Sequence, residues 1–308
     1  MAVRGEVERL MRMHDVFRGQ VLSFGMSEHR GNEMVNFLPR PHLTADQVIL
    51  PAGVLDAIEQ HVISISTDAA RLRAAGQHLK RGLLLHGPPG TGKTHTVRYL
   101  MGRMPDCTVI LITGQAMRFI EPAAALARRL QPAMVVLEDV DLVAEDRRFH
   151  PGSSPLLFSL LDAMDGIGAD ADVTFVLTTN RAEMLERALV DRPGRVDLAV
   201  EIPKPDRHAR EALIRLYAGR LTLDASLTPV IEATEGATAS FIKELLRRAV
   251  LAALRRSPQV HTLSGADLAA AATDLTAQQH ALTRSVLGHT PAAPGPERGA
   301  AAGGSARA

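Results

Sequence analysis

The chain has 308 residues, enough for one large domain or two modest ones with a sizeable buried core. Its 35 Lys and Arg balance 34 Asp and Glu for a net charge of +1, which leaves no global field for nucleic acid or an anionic membrane surface. One cysteine, Cys107, excludes an internal disulfide framework, and no apolar run approaches the ~20 residues of a membrane-spanning helix. The first residues lack a signal-peptide core. A cytoplasmic protein is therefore expected.

Residues 1–46 show weak periodicity broken by Gly and Pro, and read as an amino-terminal segment of unknown role. Regular structure begins near Val48, with Val54, Leu55, Ile58, Val62 and Ile65 at helical spacing. Strand-like runs then fall at 82–86, 108–112, 134–137, 173–178 and 196–202, separated by helical stretches that begin near Lys93, Pro122, Ser154 and Glu183. Short, continuous apolar strands between helices predict an α/β fold with a parallel sheet covered on both faces. After Pro203, Lys204 and Pro205 the pattern changes to consecutive helices at 207–219, 227–235, 239–255 and 265 to about 287. The expected organisation is an α/β core over 47–203, a small helical domain over 204–288 and a disordered Ala/Gly/Pro tail over 289–308.

The chemistry begins at the end of the first core strand. Gly87, Pro88, Pro89, Gly90, Thr91, Gly92, Lys93 and Thr94 fill every fixed position of a phosphate-binding loop, and His95 follows in the helix. Glycines let the backbone curl around a phosphate, so that its N–H groups form an anion nest at a helix start. Lys93 is placed to reach the β- and γ-phosphates of ATP, and Thr94 to ligate Mg²⁺. The strand at 134–137 runs into Glu138, Asp139 and Asp141. Carboxylates beside such a loop have two tasks: holding Mg²⁺, partly through its water shell, and orienting the attacking water. Asn180 stands at the end of the 173–178 strand, where an amide can bond the γ-phosphate and that water. Arg192 and Arg195 lie on a Pro-Gly turn, and a guanidinium supplied by a neighbour can neutralise a transferring phosphoryl group.

These pieces, in this order, resemble the AAA family of ring-forming ATPases over about residues 48–255. The resemblance implies a three-layer P-loop core with a helical lid, usually assembled as a hexamer. It makes Asn180 the first sensor and Arg192 and Arg195 arginine fingers for the adjacent subunit's ATP. Val48 and Ile49 then cover the adenine, and residues 234–243 begin the lid helix. Position for position, Glu138 serves the metal and Asp139 acts as base. The family normally has Asp first and Glu second, so the base here is one methylene short and a slow or partner-activated ATPase is expected. Ser240 stands where a second sensor arginine is missing. Lys243, one turn later, is a candidate partial substitute, though a helical lysine is ordinarily solvated. Phe119 and Ile120 match the aromatic-hydrophobic pair that grips unfolded polypeptide in the ring's pore, with Glu121 replacing the usual Gly. A core position for Phe119 is an equal alternative. Residues 147–152 are a candidate second pore loop.

The expected function is ATP hydrolysis coupled to remodelling, unfolding or translocation of a protein substrate by a homo-oligomer, with no clear nucleic-acid partner and no membrane. Two rivals stay open: a nucleic-acid-acting relative, and a nucleotide-gated scaffold with little turnover.

Overall fold

A computed structural model describes residues 16–24, 35–141, 155–181, 195–223, 227–257 and 259–286. The helix expected near Glu183, the candidate loop at 147–152, Arg192 and the tail at 289–308 lie outside these residues.

The chain opens with two short strands, β1 (Val21–Phe24) and β2 (Val35–Leu38). Helix α1 (Val54–Glu59) continues through a π turn, Gln60–Ser64, and is followed by α2 (Ala69–Ala74). The alternating core comes next: β3 (Arg81–His86), α3 (Lys93–Arg103), β4 (Thr108–Thr113), α4 (Ile120–Arg129), β5 (Ala133–Glu138), α5 (Pro155–Asp165), β6 (Val173–Thr179) and β7 (Leu198–Glu201). Each of these strands overlaps a run expected from apolar patterning.

Among the described residues seven strands form one sheet in the order β2-β1-β4-β5-β6-β3-β7. All neighbours are parallel except β1 and β2. Side chains alternate between two cores, which is why the central strands are apolar without interruption. Leu84, Val135, Leu137 and Phe175 face α4 and α5, whereas Leu83, Leu85, Met134, Val136 and Val176 face α1 and α3. A parallel sheet with helices on both faces is the α/β architecture the sequence predicts.

The sheet also takes in part of the segment set apart as residues 1–46. β1 pairs with β4, Val21 opposite Val109, and β2 closes that edge antiparallel. Arg40 fixes the segment further. Its guanidinium donates to the carbonyls of Met101 (2.5 Å) and Met104 (3.1 Å) at the end of α3, and to those of Gly19 (3.0 Å) and Cys107 (2.7 Å). The last carbonyls of a helix have no partner within it, and a cation there also opposes the helix dipole.

Downstream lie α6 (Arg207–Ala218), α7 (Thr228–Ala233), α8 (Ala239–Arg256) and α9 (Gly265–Val286), with a two-residue strand pair, β8 (Thr222–Leu223) and β9 (Thr262–Leu263). Their apolar faces meet in a third core around Ile214, Ile242, Leu245, Ala249 and Leu268.

Register decides where chemistry can occur. His86 pairs with Thr179 and Leu137 with Leu177, so β3, β6 and β5 end side by side. Whatever follows His86, Thr179 and Glu138 therefore converges at one edge, the position where open parallel sheets bind ligands.

Candidate functional site

The loop after β3 curls as its glycines allow. Gly87 and Gly90 have φ of +136° and +76°, and a Cβ at Gly87 would stand 2.3 Å from the carbonyl oxygen of Ile202. The Thr91 hydroxyl donates to the Pro88 carbonyl (2.9 Å) and closes the turn. Lys93, buried at the first position of α3, donates from Nζ to the carbonyls of Gly87 (2.8 Å) and Pro88 (2.9 Å). Burial lowers its pKa, and Asp139 and Asp141 oppose that shift. The His95 ring meets the Gln47 carbonyl at 2.9 Å, which ties α3 to the segment before Val48.

The three carboxylates after β5 divide their work. Glu138 has a raised pKa because it is partly buried; a hydrogen bond with Thr94 opposes the shift and the charge of Asp139 adds to it. Thr94 and Glu138 thus form a pair of hard oxygen donors beside the loop, a set that suits Mg²⁺. Asp139 follows with φ of +53°. That left-handed conformation is uncommon for a side-chain-bearing residue, and Asp tolerates it better than most. Its N–H donates to Thr178 Oγ1 (3.0 Å), and the Asn180 amide donates to its carboxylate (3.4 Å). Asp141, also buried, accepts from the Thr179 hydroxyl (3.1 Å) and the Asn180 N–H (3.2 Å). The third carboxylate therefore positions Asn180.

Two cavities adjoin here. One, of about 390 Å³, is bordered by the phosphate loop, Asp139, Asn180, Arg98 and Lys243. The other, of about 410 Å³, is walled by Val48, Ile49, Leu50, Ile202 and Leu213 with Thr91 at its edge, and Ala239 borders both. A polar, cationic chamber beside an apolar one matches the two halves of a nucleoside polyphosphate. Val48 and Ile49, which the resemblance sets over an adenine, line the apolar chamber.

Arg195 lies elsewhere. It is 7% exposed, and its guanidinium makes a two-pronged pair with Asp165 at the end of α5, at 3.0 and 2.8 Å. Within one chain Arg195 is thus engaged by its own subunit. Arg192 falls outside the described residues.

The expected substrate-gripping pair is not presented as two exposed side chains. Ile120 is buried in the core at the start of α4. Phe119 is half-buried and stacks on Phe24 with ring centroids 5.9 Å apart, and the Arg118 guanidinium lies 4.8 Å from its ring centre.

Sequence reasoning missed three participants. Arg98 lies four residues after Thr94, so helical spacing alone could have placed it on the loop's side. Thr178 is one of three threonines in an otherwise apolar strand, and Asp165 precedes Arg195 by thirty positions. Neither carries a local signal.

A family model described as "ATPase family associated with various cellular activities (AAA)" matches residues 83–204. "ATP-dependent zinc metalloprotease FtsH 3" of Sphaerobacter thermophilus is 32% identical over 243 residues, 73% of this chain and 48% of the relative. "ATP-dependent zinc metalloprotease FtsH 1" of Thermomicrobium roseum is 31% identical over 273 residues, covering 82% of this chain and 40% of its own. "ATP-dependent zinc metalloprotease FtsH" of Mycobacterium tuberculosis is 28% identical over 261 residues, 79% and 34% of the two chains. The chain spans less than half the length of these curated relatives. Among the described residues no helix is long and apolar enough to cross a membrane.

Proposed function

The chain belongs to the AAA family of ATPases, and on that premise we propose that it binds Mg·ATP and hydrolyses it as one subunit of a homo-hexamer that remodels a protein substrate. One observation carries the reading: Lys93, Thr94, Glu138, Asp139 and Asn180, scattered over 88 positions, meet at one edge of the sheet. In this reading the phosphate loop and Lys93 bind the triphosphate. Thr94 and Glu138 would hold Mg²⁺, which when bound would supply positive charge against the phosphates. Asp139 and Asn180, already hydrogen-bonded to each other, orient the attacking water and accept its proton at the Asp139 carboxylate. The helices after residue 204 act as the lid. Arg195 would leave Asp165 to reach a neighbour's γ-phosphate, so the ion pair becomes a switch between subunit-own and subunit-shared contacts.

The words zinc and metalloprotease in the relatives' names are not carried over. None of the 12 histidines is followed by glutamate, so the His-Glu-x-x-His zinc signature does not occur in these residues. Among the described residues no group of three His, Cys, Asp or Glu is placed to hold a metal ion.

The position of Asp139 favours a second reading, a nucleotide-gated scaffold. Its short side chain leaves a left-handed backbone, and its bond to Asn180 is long at 3.4 Å. Two variants separate the readings. Lys93→Ala should abolish ATP binding by calorimetry. Asp139→Asn should keep binding and lose phosphate release. Wild type and Asp139→Asn releasing phosphate equally slowly, while both form ATP-dependent rings, would favour the scaffold.

A further inference from the structure

We propose that Lys80 is a positioning residue: its ammonium takes over the carboxylate of Asp165 when Arg195 leaves it. The inference rests on the reading above in which Arg195 serves a neighbouring subunit, and it adds the group that replaces Arg195 at home.

Three elements meet at this point. The start of β3 lies against the turn that carries Arg195, so closely that a Cβ at Gly82 would stand 1.6 Å from the Arg195 carbonyl oxygen. The Gly82 N–H donates to the Asp197 carboxylate at 3.0 Å and fixes that contact. The end of α5 closes the third side, where Asp165 holds the Arg195 guanidinium. Lys80 stands two residues before Gly82, and its Nζ donates to the carbonyl of Met164 at 3.1 Å. Asp165 is the next residue along the chain, its Cα about 3.8 Å from that of Met164.

The end of α5 is electrically negative. Asp162 and Asp165 both fall in its last turn, which carries no basic residue, and a helix C-terminus adds partial negative charge of its own. Both carboxylates raise the pKa of Arg195, Asp165 most of all through its hydrogen bond. Removing the guanidinium would leave two like charges on a helix end that disfavours them. Arg128, another cation nearby, is held by the Gly166 carbonyl at 3.2 Å and borders Asp162 rather than Asp165.

Lys80 is equipped to answer that charge. It is 9% exposed, and among the described residues its ammonium bonds the Met164 carbonyl and pairs with no carboxylate. An ammonium carries three N–H donors on a rotatable stem, and a buried charge is costly unless paired. Swinging from the carbonyl of one residue to the carboxylate of the next would pair both charges at once. The exchange lowers the cost of releasing Arg195, so it bears on turnover although Lys80 borders neither nucleotide chamber.

The test uses the full chain in two measurements. In denaturant unfolding without nucleotide, Lys80→Met should lower the folding constant about fivefold more in the Arg195→Ala chain than in wild type, because there Lys80 carries Asp165. Equal effects in both chains would assign Lys80 a merely structural role and overturn the proposal. The second measurement is phosphate release at saturating Mg·ATP. Lys80→Met should lower kcat about tenfold with KM within about twofold, and Lys80→Arg should restore most of it. With Asp165→Asn already present, the effect of Lys80→Met should fall below about twofold. A tenfold loss that persists in the Asp165→Asn chain would overturn the proposal, as would unchanged kcat in Lys80→Met while Arg195→Ala is slow. Unchanged kcat in Arg195→Ala itself would refute the shared-site reading, and this inference with it.

Discussion

Exchanging the two carboxylates at the end of β5, as Glu138→Asp with Asp139→Glu, should speed the proposed hydrolysis of ATP. At position 139 the swap carries the carboxylate about 1–1.5 Å further from the backbone, one methylene. A displacement of about 1 Å at a reacting group can be worth some 10²-fold in rate. The left-handed backbone at residue 139 sets the opposing cost, because Asp is tolerated there better than Glu; that penalty is at most the roughly 1–2 kcal/mol such backbone costs a side-chain-bearing residue, and it falls on stability. Shortening position 138 should loosen the contact with Thr94 and, on the proposed reading, weaken Mg²⁺ binding, so the assay needs saturating Mg²⁺ and ATP. Under those conditions kcat for phosphate release should rise roughly 10- to 100-fold, about 1.4–2.7 kcal/mol off the barrier. ATP affinity should stay within a few fold of wild type. A folded double variant that binds ATP normally yet turns over no faster would refute the argument from reach.

Other expectations concern parts of the fold that hold this edge in place. Arg81 and Asp172 form a buried pair at 2.9 Å, and Arg81 also donates to the carbonyls of Leu79 and Val62. Asp172→Asn should cost about 3–5 kcal/mol in denaturant unfolding by leaving a buried guanidinium uncompensated, and a loss under about 1 kcal/mol would contradict that. Burial pushes the Cys107 thiol up to about 12. The reactive thiolate forms only above its pKa, so raising the pH from 7 to 9 should leave Cys107 unlabelled by iodoacetamide unless denaturant is present. Rapid native labelling would show an open edge beside β4. Arg195→Ala should reduce the stability of the single chain by about 1–2 kcal/mol, since the lost partner Asp165 is partly exposed. In mixtures with Asp139→Asn subunits, turnover per site should depend on the neighbour, and independence would exclude a shared site.

Much of this was legible from residue order. Phosphate-loop chemistry is local: the glycine spacing, the preceding apolar run and the following helix are contiguous, so sequence alone placed Gly87 to Thr94. Glu138 was legible as a carboxylate at the end of a strand in a parallel sheet, and Asn180 through its order and spacing in the family the chain resembles. What the sequence withheld depends on side chains distant in the chain. Nothing near Arg195 announces Asp165, and nothing near Phe119 announces Phe24. The strands β1 and β2, four residues each with Gly and Pro nearby, are too short for periodicity to reveal, so the sheet's extra edge became visible only through pairing with β4.

Arg40 bears on how this protein can be cut into pieces. The matched family region starts at residue 83, yet the carbonyls closing α3 are satisfied from residue 40, and Gly102 packs so closely on Pro41 that a Cβ there would lie 2.6 Å from its oxygen. A fragment trimmed to the recognisable ATPase region would leave the helix that carries Lys93 and Thr94 frayed at its far end. Recombinant boundaries drawn upstream of Gly19 should give a nucleotide-competent product, and those drawn at residue 83 a poorly folded one.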